Sequence, residues 1–235
     1  FSWNEKNSTL FAGVSRLDDT VLSNADSSFK ARLYGLTGTV GLTQVLSRTA
    51  LLTVSYQLGY LDGYLGNPYR RVLRGPLPFP ESPPDHRLRH SVEGRLSYYL
   101  PDTLTTLQAQ LRLYTDSFKL SAVTPELRVY QQLGESLNLR LRYRFYDQTA
   151  ASFALASGQT AYPRGTPAPY TNDAKLEQFH SHQLGLRAEL ALHFLEGSFL
   201  TFARGGFLDV SFDYQITTSR FRNNVIGTLG AQLPF

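Results

Sequence analysis

Eight arginines stand on the polar faces of alternating segments: Arg89, Arg95, Arg112, Arg128, Arg140, Arg142, Arg144 and Arg187. Glu93, Glu126, Glu189, Asp209 and Asp213 share those faces. A guanidinium stays ionised and offers a flat fork of donors that matches a carboxylate or a phosphate. Two roles follow. The arginines can focus positive potential along an enclosed passage and attract small anions. Alternatively, they pair with the acids in a self-neutralised network that braces the interior, and the mixture of signs on the same faces favours this second role. The formal net charge is +4, a modest excess carried by enclosed residues, so no nucleic-acid partner is expected.

Other chemistry is thinly represented. The chain has no Cys, which removes disulfides, thiolate metal sites and cysteine nucleophiles. His180, Ser181 and His182 invite comparison with a membrane hydrolase, but no matching acid or oxyanion arrangement accompanies them. Lipid hydrolysis therefore stays a remote alternative, and no enzyme activity is expected. Asp18, Asp19, Asn24 and Asp26 lack the patterned spacing of a dedicated calcium loop. No metal and no cofactor are expected.

The elements that must position these residues show a period of two. In 221–235, Val225, Gly227, Leu229, Ala231, Leu233 and Phe235 alternate with Arg222, Asn224, Thr228, Gly230 and Gln232, as a strand with one apolar face does. The same alternation marks strands at 8–17, 30–46 and 52–60. It returns at 89–98, 107–114, 123–130, 137–146, 182–194 and 208–214. Phe1 to Trp3 reads as the tail of one more. Pro125 predicts a bulge or a late strand start, and Gly205-Gly206 beside Arg204 predicts another bulge. No helix is predicted, and no run approaches eighteen apolar residues, so a helical membrane span is excluded.

Strand length decides the environment. Soluble strands average about five or six residues, whereas these commonly reach ten or more, the length a tilted strand needs to cross a bilayer. Tight connections near Asn4, Ser47, Pro101, Gly134 and Glu196 alternate with polar loops, including Leu17 to Ser28. Two loops are long, 62–86 and 147–178. The first carries six of the twelve prolines and is expected not to pair as a regular ladder. Short turns on one rim and long loops on the other describe a single all-β domain over 1–235. The fold expected is a transmembrane antiparallel up-and-down β-barrel of the bacterial outer-membrane type.

About ten strands lie in this chain, with twelve or more expected in the complete protein. The absence of Met points to a processed or partial chain. The expected surroundings are the bacterial outer membrane and its lipid, with the C-terminus on the periplasmic side. Tyr56, Tyr60, Tyr98, Tyr143, Phe145, Phe194, Phe212, Tyr214 and Phe235 are expected on the lipid-facing side or in its aromatic girdles. The eight arginines and five acids above are expected to line the lumen.

Several stretches carry a family resemblance. Gly59-Tyr60-Leu61 is followed by Asn67-Pro68-Tyr69-Arg70, Arg87-Leu88-Arg89-His90 and Leu113-Tyr114-Thr115-Asp116, then by the run from Arg142 to Ala150. Their order and spacing resemble a family of predicted outer-membrane barrels catalogued as domain of unknown function 3570; Phe145 departs from the Tyr expected at its position. The resemblance implies an envelope barrel and assigns no biochemical role. Two function classes stand open: a pore for small, anionic solutes through an Arg-lined lumen, and a plugged structural barrel that anchors another envelope protein or complex through its long loops.

Overall fold

The computed structural model describes residues 2–5, 7–22, 29–156, 158–195 and 205–233. Each alternating segment forms a strand. In chain order they are β1 (Ser2–Glu5), β2 (Ser8–Leu22), β3 (Lys30–Val45), β4 (Ala50–Gly63), β5 (Arg71–Arg74), β6 (Leu77–Pro80) and β7 (His86–Leu100). There follow β8 (Thr105–Asp116), β9 (Ser121–Leu133), β10 (Leu137–Gln148), β11 (Phe179–Ala191), β12 (Phe207–Thr217) and β13 (Asn224–Gln232). With the β5–β6 hairpin set aside, every strand pairs antiparallel with its chain neighbours. The result is one eleven-stranded up-and-down sheet, the all-β architecture expected from the alternation. Among the described residues, β1 and β13 form its two edges and do not pair with each other. Among the described residues helix is limited to three short 3-10 turns.

Because successive side chains point to opposite faces, the alternation sorts the sheet into two surfaces. Leu36, Val54, Val92, Leu111, Leu141, Leu186 and Phe212 stand exposed on one of them. The other curls inward: residues of β2, β3, β4 and β7 through β11 line a single cavity together with both long loops. The edges are the least covered parts. Val14 on β2 and Leu229 on β13 are each 79% exposed.

The structure departs from the sequence reading in several places. The connection expected from Leu17 begins later, since β2 continues to Leu22 and pairs with β3 throughout; residues 23–28, and with them Asn24 and Asp26, lie outside the described residues. Pro125 causes no bulge. It pairs opposite Leu111 in an unbroken β8–β9 register, and its missing N–H shows instead on the other side, where the β9–β10 ladder skips Phe145 and Tyr146 without changing register. The β11–β12 register is also unbroken from Phe207 onward. Gly205 adopts φ +92° just before it, while Arg204 and the expected turn at Glu196-Gly197 lie outside the described residues. The strand expected to reach Phe194 ends at Ala191, and a 3-10 turn over Leu192–Leu195 replaces its last part.

The largest difference concerns the two long loops. Residues 62–86 do pair: β5 and β6 form a hairpin in which Pro78 and Pro80 face Leu73 and Arg71. Prolines two residues apart present their missing N–H groups to the same outer edge, so the inner edge of β6 keeps its donor at Phe79. Residues 149–178 wrap this hairpin. Among the described residues, apart from Leu192, every buried hydrophobic side chain lies at this rim, in the loops or in the β8–β9 connection. Phe118, Leu120, Ala151, Phe153 and Leu176 form one cluster, and Val72, Leu155, Tyr162 and Tyr170 form another. The apolar core of the molecule is therefore a cap over the long-loop rim.

Candidate functional site

On the inner face, strand register sets some like charges opposite one another: Arg128 faces Arg142, and Arg140 faces Arg187. Arg89, Arg112 and Arg144 instead face Asp116, Glu93 and Glu126 in register. The like-charged pairs repel, so their counter-ions come from elsewhere. Arg95 binds Glu93 two residues away at 3.0 Å, Arg128 binds Glu126, and Arg187 binds Asp209 on β12 with Glu189 at 3.5 Å. Arg142 reaches over a whole strand to Asp213 at 2.8 Å. Gly185 makes that reach possible: it lies between the two in register, and a Cβ there would sit 2.2 Å from the Asp213 carboxylate. Arg144 stands 4.0 Å from Glu126, whose charge Arg128 already shares.

Three of the eight arginines have no carboxylate at ion-pair distance among the described residues: Arg89, Arg112 and Arg140. Arg112 donates through Nε to Ser91 Oγ at 2.8 Å, and the buried Nε of Arg140 has no hydrogen-bond partner. Thus the structure brings most of the proposed arginines and acids into pairs and leaves these three apart.

Two carboxylates outside the expected lumen set organise the rim, Asp116 from one of the stretches that carry the family resemblance and Glu81 from none of them. The side chain of Asp116 is fully buried and binds Arg87. It also accepts from Tyr114 OH at 2.8 Å and from the backbone N–H groups of Phe118 at 2.9 Å and Leu120 at 3.1 Å. These bonds shape the tight β8–β9 turn and fix the Arg87 guanidinium 4.6 Å from the centre of the Phe118 ring. Glu81, also buried, joins the loops: it accepts from Arg70 and from Thr171 Oγ1 at 2.8 Å. Asp173 adds a second carboxylate to Arg70 at 3.1 Å.

Backbone bonds complete the clasp. Ser82 and Tyr170 exchange a pair at 3.0 Å, while Tyr162 donates to Leu73 and accepts from Gly75, each at 2.8 Å. The Tyr162 hydroxyl lies 2.7 Å from the Phe153 carbonyl and 2.8 Å from that of Thr171, its one proton serving these two acceptors, and it accepts from Thr171 N–H at 3.1 Å. Burial pushes this phenol above its ordinary value of 10.0. The signal for these residues was present in the stretches carrying the family resemblance: Arg70, Arg87, Tyr114, Arg144, Tyr146 and Gln148 come from four separate stretches and line one cavity under the cap.

Outside, Tyr56, Tyr60, Tyr98, Tyr143, Phe212 and Tyr214 are exposed among aliphatic neighbours. Phe145 packs at 5.0 Å against His182. The side chain of Phe194 and all of Phe235 lie outside the described residues. Tyr56 meets His90 Nδ1 at 2.7 Å, and Tyr143 meets His182 Nδ1 at 2.8 Å. Ser181 is buried on the opposite face from its two histidine neighbours, so the three are not assembled. Among the described residues no group of His, Asp or Glu is placed to hold a metal ion.

A family model described as "Protein of unknown function (DUF3570)" matches residues 30–198. The chain belongs to this family. The match spans β3 through β11, so both loops of the cap and the ion-paired face up to Glu189 fall within the DUF3570 region. No curated protein matches the chain. Among solved structures the DUF3570 chain is similar to the β domain of the Bordetella autotransporter BrkA, at 15% identity and a TM-score of 0.43, with 98% of this chain and 84% of that chain covered.

Proposed function

We propose that this protein is a bacterial outer-membrane β-barrel that works as a capped structural wall, with its long loops available to hold another envelope protein and its C-terminus toward the periplasm. The supporting observation is the inversion of its two surfaces. Aliphatic side chains cover the outside of the strands from β2 to β12, which, apart from the β5–β6 hairpin of the cap, are 11 to 16 residues long, and tilted strands of about 9–11 residues suffice to cross a bilayer. Charges turn inward and pair, while the buried apolar residues sit over one mouth. In lipid no strand edge can stay unpaired, so the proposal requires strand partners for the edges at β1 and β13.

Charge that is mostly ion-paired and a packed cap favour a closed barrel over an open pore. The test is conductance of the folded full chain in a planar bilayer. The wild type is expected to be silent, and removal of residues 150–176 is expected to produce steady openings. Open-pore conductance in the wild type would overturn the capped reading. A second reading, selective passage of small anions, is favoured by Arg89 and Arg112, which have no carboxylate at ion-pair distance among the described residues and line the cavity beneath the cap. It predicts anion-selective current once the cap is removed. No enzyme activity belongs to either reading.

A further inference from the structure

The cavity between the loop cap and the inner face holds about 640 Å³, within the range of about 300–1,000 Å³ typical of small-molecule sites. Six cationic side chains line it against two carboxylates, Glu81 and Asp173. Both of those are bound by Arg70. Asp116 neutralises Arg87, but Arg89 and Arg112 have no carboxylate partner among the described residues. Both also line a smaller recess of about 120 Å³ with Ser91 and Tyr114, and Ser91 orients the Arg112 fork through Nε. The cavity is also lined by apolar side chains, Phe118, Leu120 and Leu176 from the cap cluster.

Partly buried guanidinium groups without a carboxylate at ion-pair distance among the described residues, in one cavity with apolar side chains, select for charge and for shape at once. We propose that this cavity is a binding site for a small organic anion, a carboxylate or phosphate carrying a compact apolar body. Arg89 and Arg112 hold the anionic group, and the Phe118, Leu120 and Leu176 side takes the apolar part. The anionic group accepts in-plane donors from the guanidinium forks, the geometry in which Arg recognises carboxylate and phosphate. This inference deepens the capped-barrel reading and rests on the cap being closed. Its test measures binding in detergent, where failure leaves the conductance result standing.

Folded full-length protein is titrated calorimetrically with benzoate, phenyl phosphate, inorganic phosphate and benzylammonium. Saturable binding is expected for one or both aromatic anions, weaker binding for inorganic phosphate, and none for benzylammonium. The better of benzoate and phenyl phosphate identifies the anionic group. The double variant Arg89→Gln/Arg112→Gln is expected to lose at least tenfold in affinity, whereas His182→Gln on the outer face is expected to bind as the wild type does. Because the double variant can misfold, a second measurement uses the wild type alone: the bound anion is expected to slow phenylglyoxal modification of Arg89 and Arg112 but not of exposed Arg48. Absence of saturable binding, unchanged affinity in the folded double variant, or absence of protection would overturn the site. Inorganic phosphate binding as tightly as the aromatic anions would overturn the role of the apolar wall.

Discussion

The strand wall and the loop cap are built on opposite rules. In the wall, large aliphatic side chains stand exposed and the polar residues turn inward, where ion pairs take the place of an apolar core. In the cap, Val72 is completely buried, tyrosines close over it, and the prolines of β6 lie outward. Such a cap follows the ordinary logic of a protein in water. The wall follows that logic only if lipid surrounds it. On the proposed membrane reading, hydrophobic burial in this chain is divided between two solvents, with polar joints between wall and cap. Arg87 with Asp116 and Arg70 with Glu81 are those joints.

The largest effect is expected at the joint itself. Asp116→Ala strands the Arg87 guanidinium and two backbone N–H groups, a loss of about 3–5 kcal/mol for breaking a buried pair. Urea titration of the folded barrel, followed by its heat-modifiable gel migration, measures it. Next comes a direct challenge to the contrast. Leu186→Arg on the outer face of the wall is expected to cost about 2–4 kcal/mol in lipid, while Leu77→Arg on the exposed surface of the cap stays within about 0.5 kcal/mol. Refolding of both variants into the same vesicles compares them, and equal costs would remove the membrane reading.

Smaller effects sharpen the cap alone. Tyr162→Phe is expected to cost about 1–3 kcal/mol by leaving buried backbone groups unpaired. Faster proteolysis within residues 149–178, with unchanged gel migration of the barrel, is the expected result. The same phenol makes the cap sensitive to alkali. Its folded value is raised by burial above 10.0, so the stability it contributes is fully present below pH 10.0 and disappears as pH climbs through the raised value. Protease protection of the loop should fall in that alkaline window in the wild type and not in Tyr162→Phe. The smallest effect is placed in the wall: Gly185→Ala pushes the Asp213 carboxylate aside and should cost about 1 kcal/mol. That cost should be non-additive with Asp213→Asn in a double-mutant cycle, as expected of groups in contact.

The strands were legible because period-two alternation depends only on neighbouring residues and on which face each one meets. Arg140, Arg142 and Arg144 announce one polar face without any knowledge of the partner strand. Pairing was less legible. Nothing local says that Arg128 lands opposite Arg142, that Arg142 must cross Gly185 to find Asp213, or that Arg89 and Arg112 have no ion-paired carboxylate among the described residues. These outcomes depend on register between segments up to 71 residues apart. The cap was missed for a related reason. Proline density argues against strand, and it does so for any central strand, but a hairpin that keeps its prolines on one edge escapes the rule.

The order of residues alone determined the all-β class, the strand-by-strand alternation and the division into short turns and long loops, since each is written in local periodicity and turn chemistry. Tertiary structure decided which charges neutralise one another, where the apolar core lies and that four separated stretches meet around one cavity. Those are properties of distance between remote residues, and only the curl of the sheet and the folding of residues 62–86 and 149–178 over its rim bring such residues within reach.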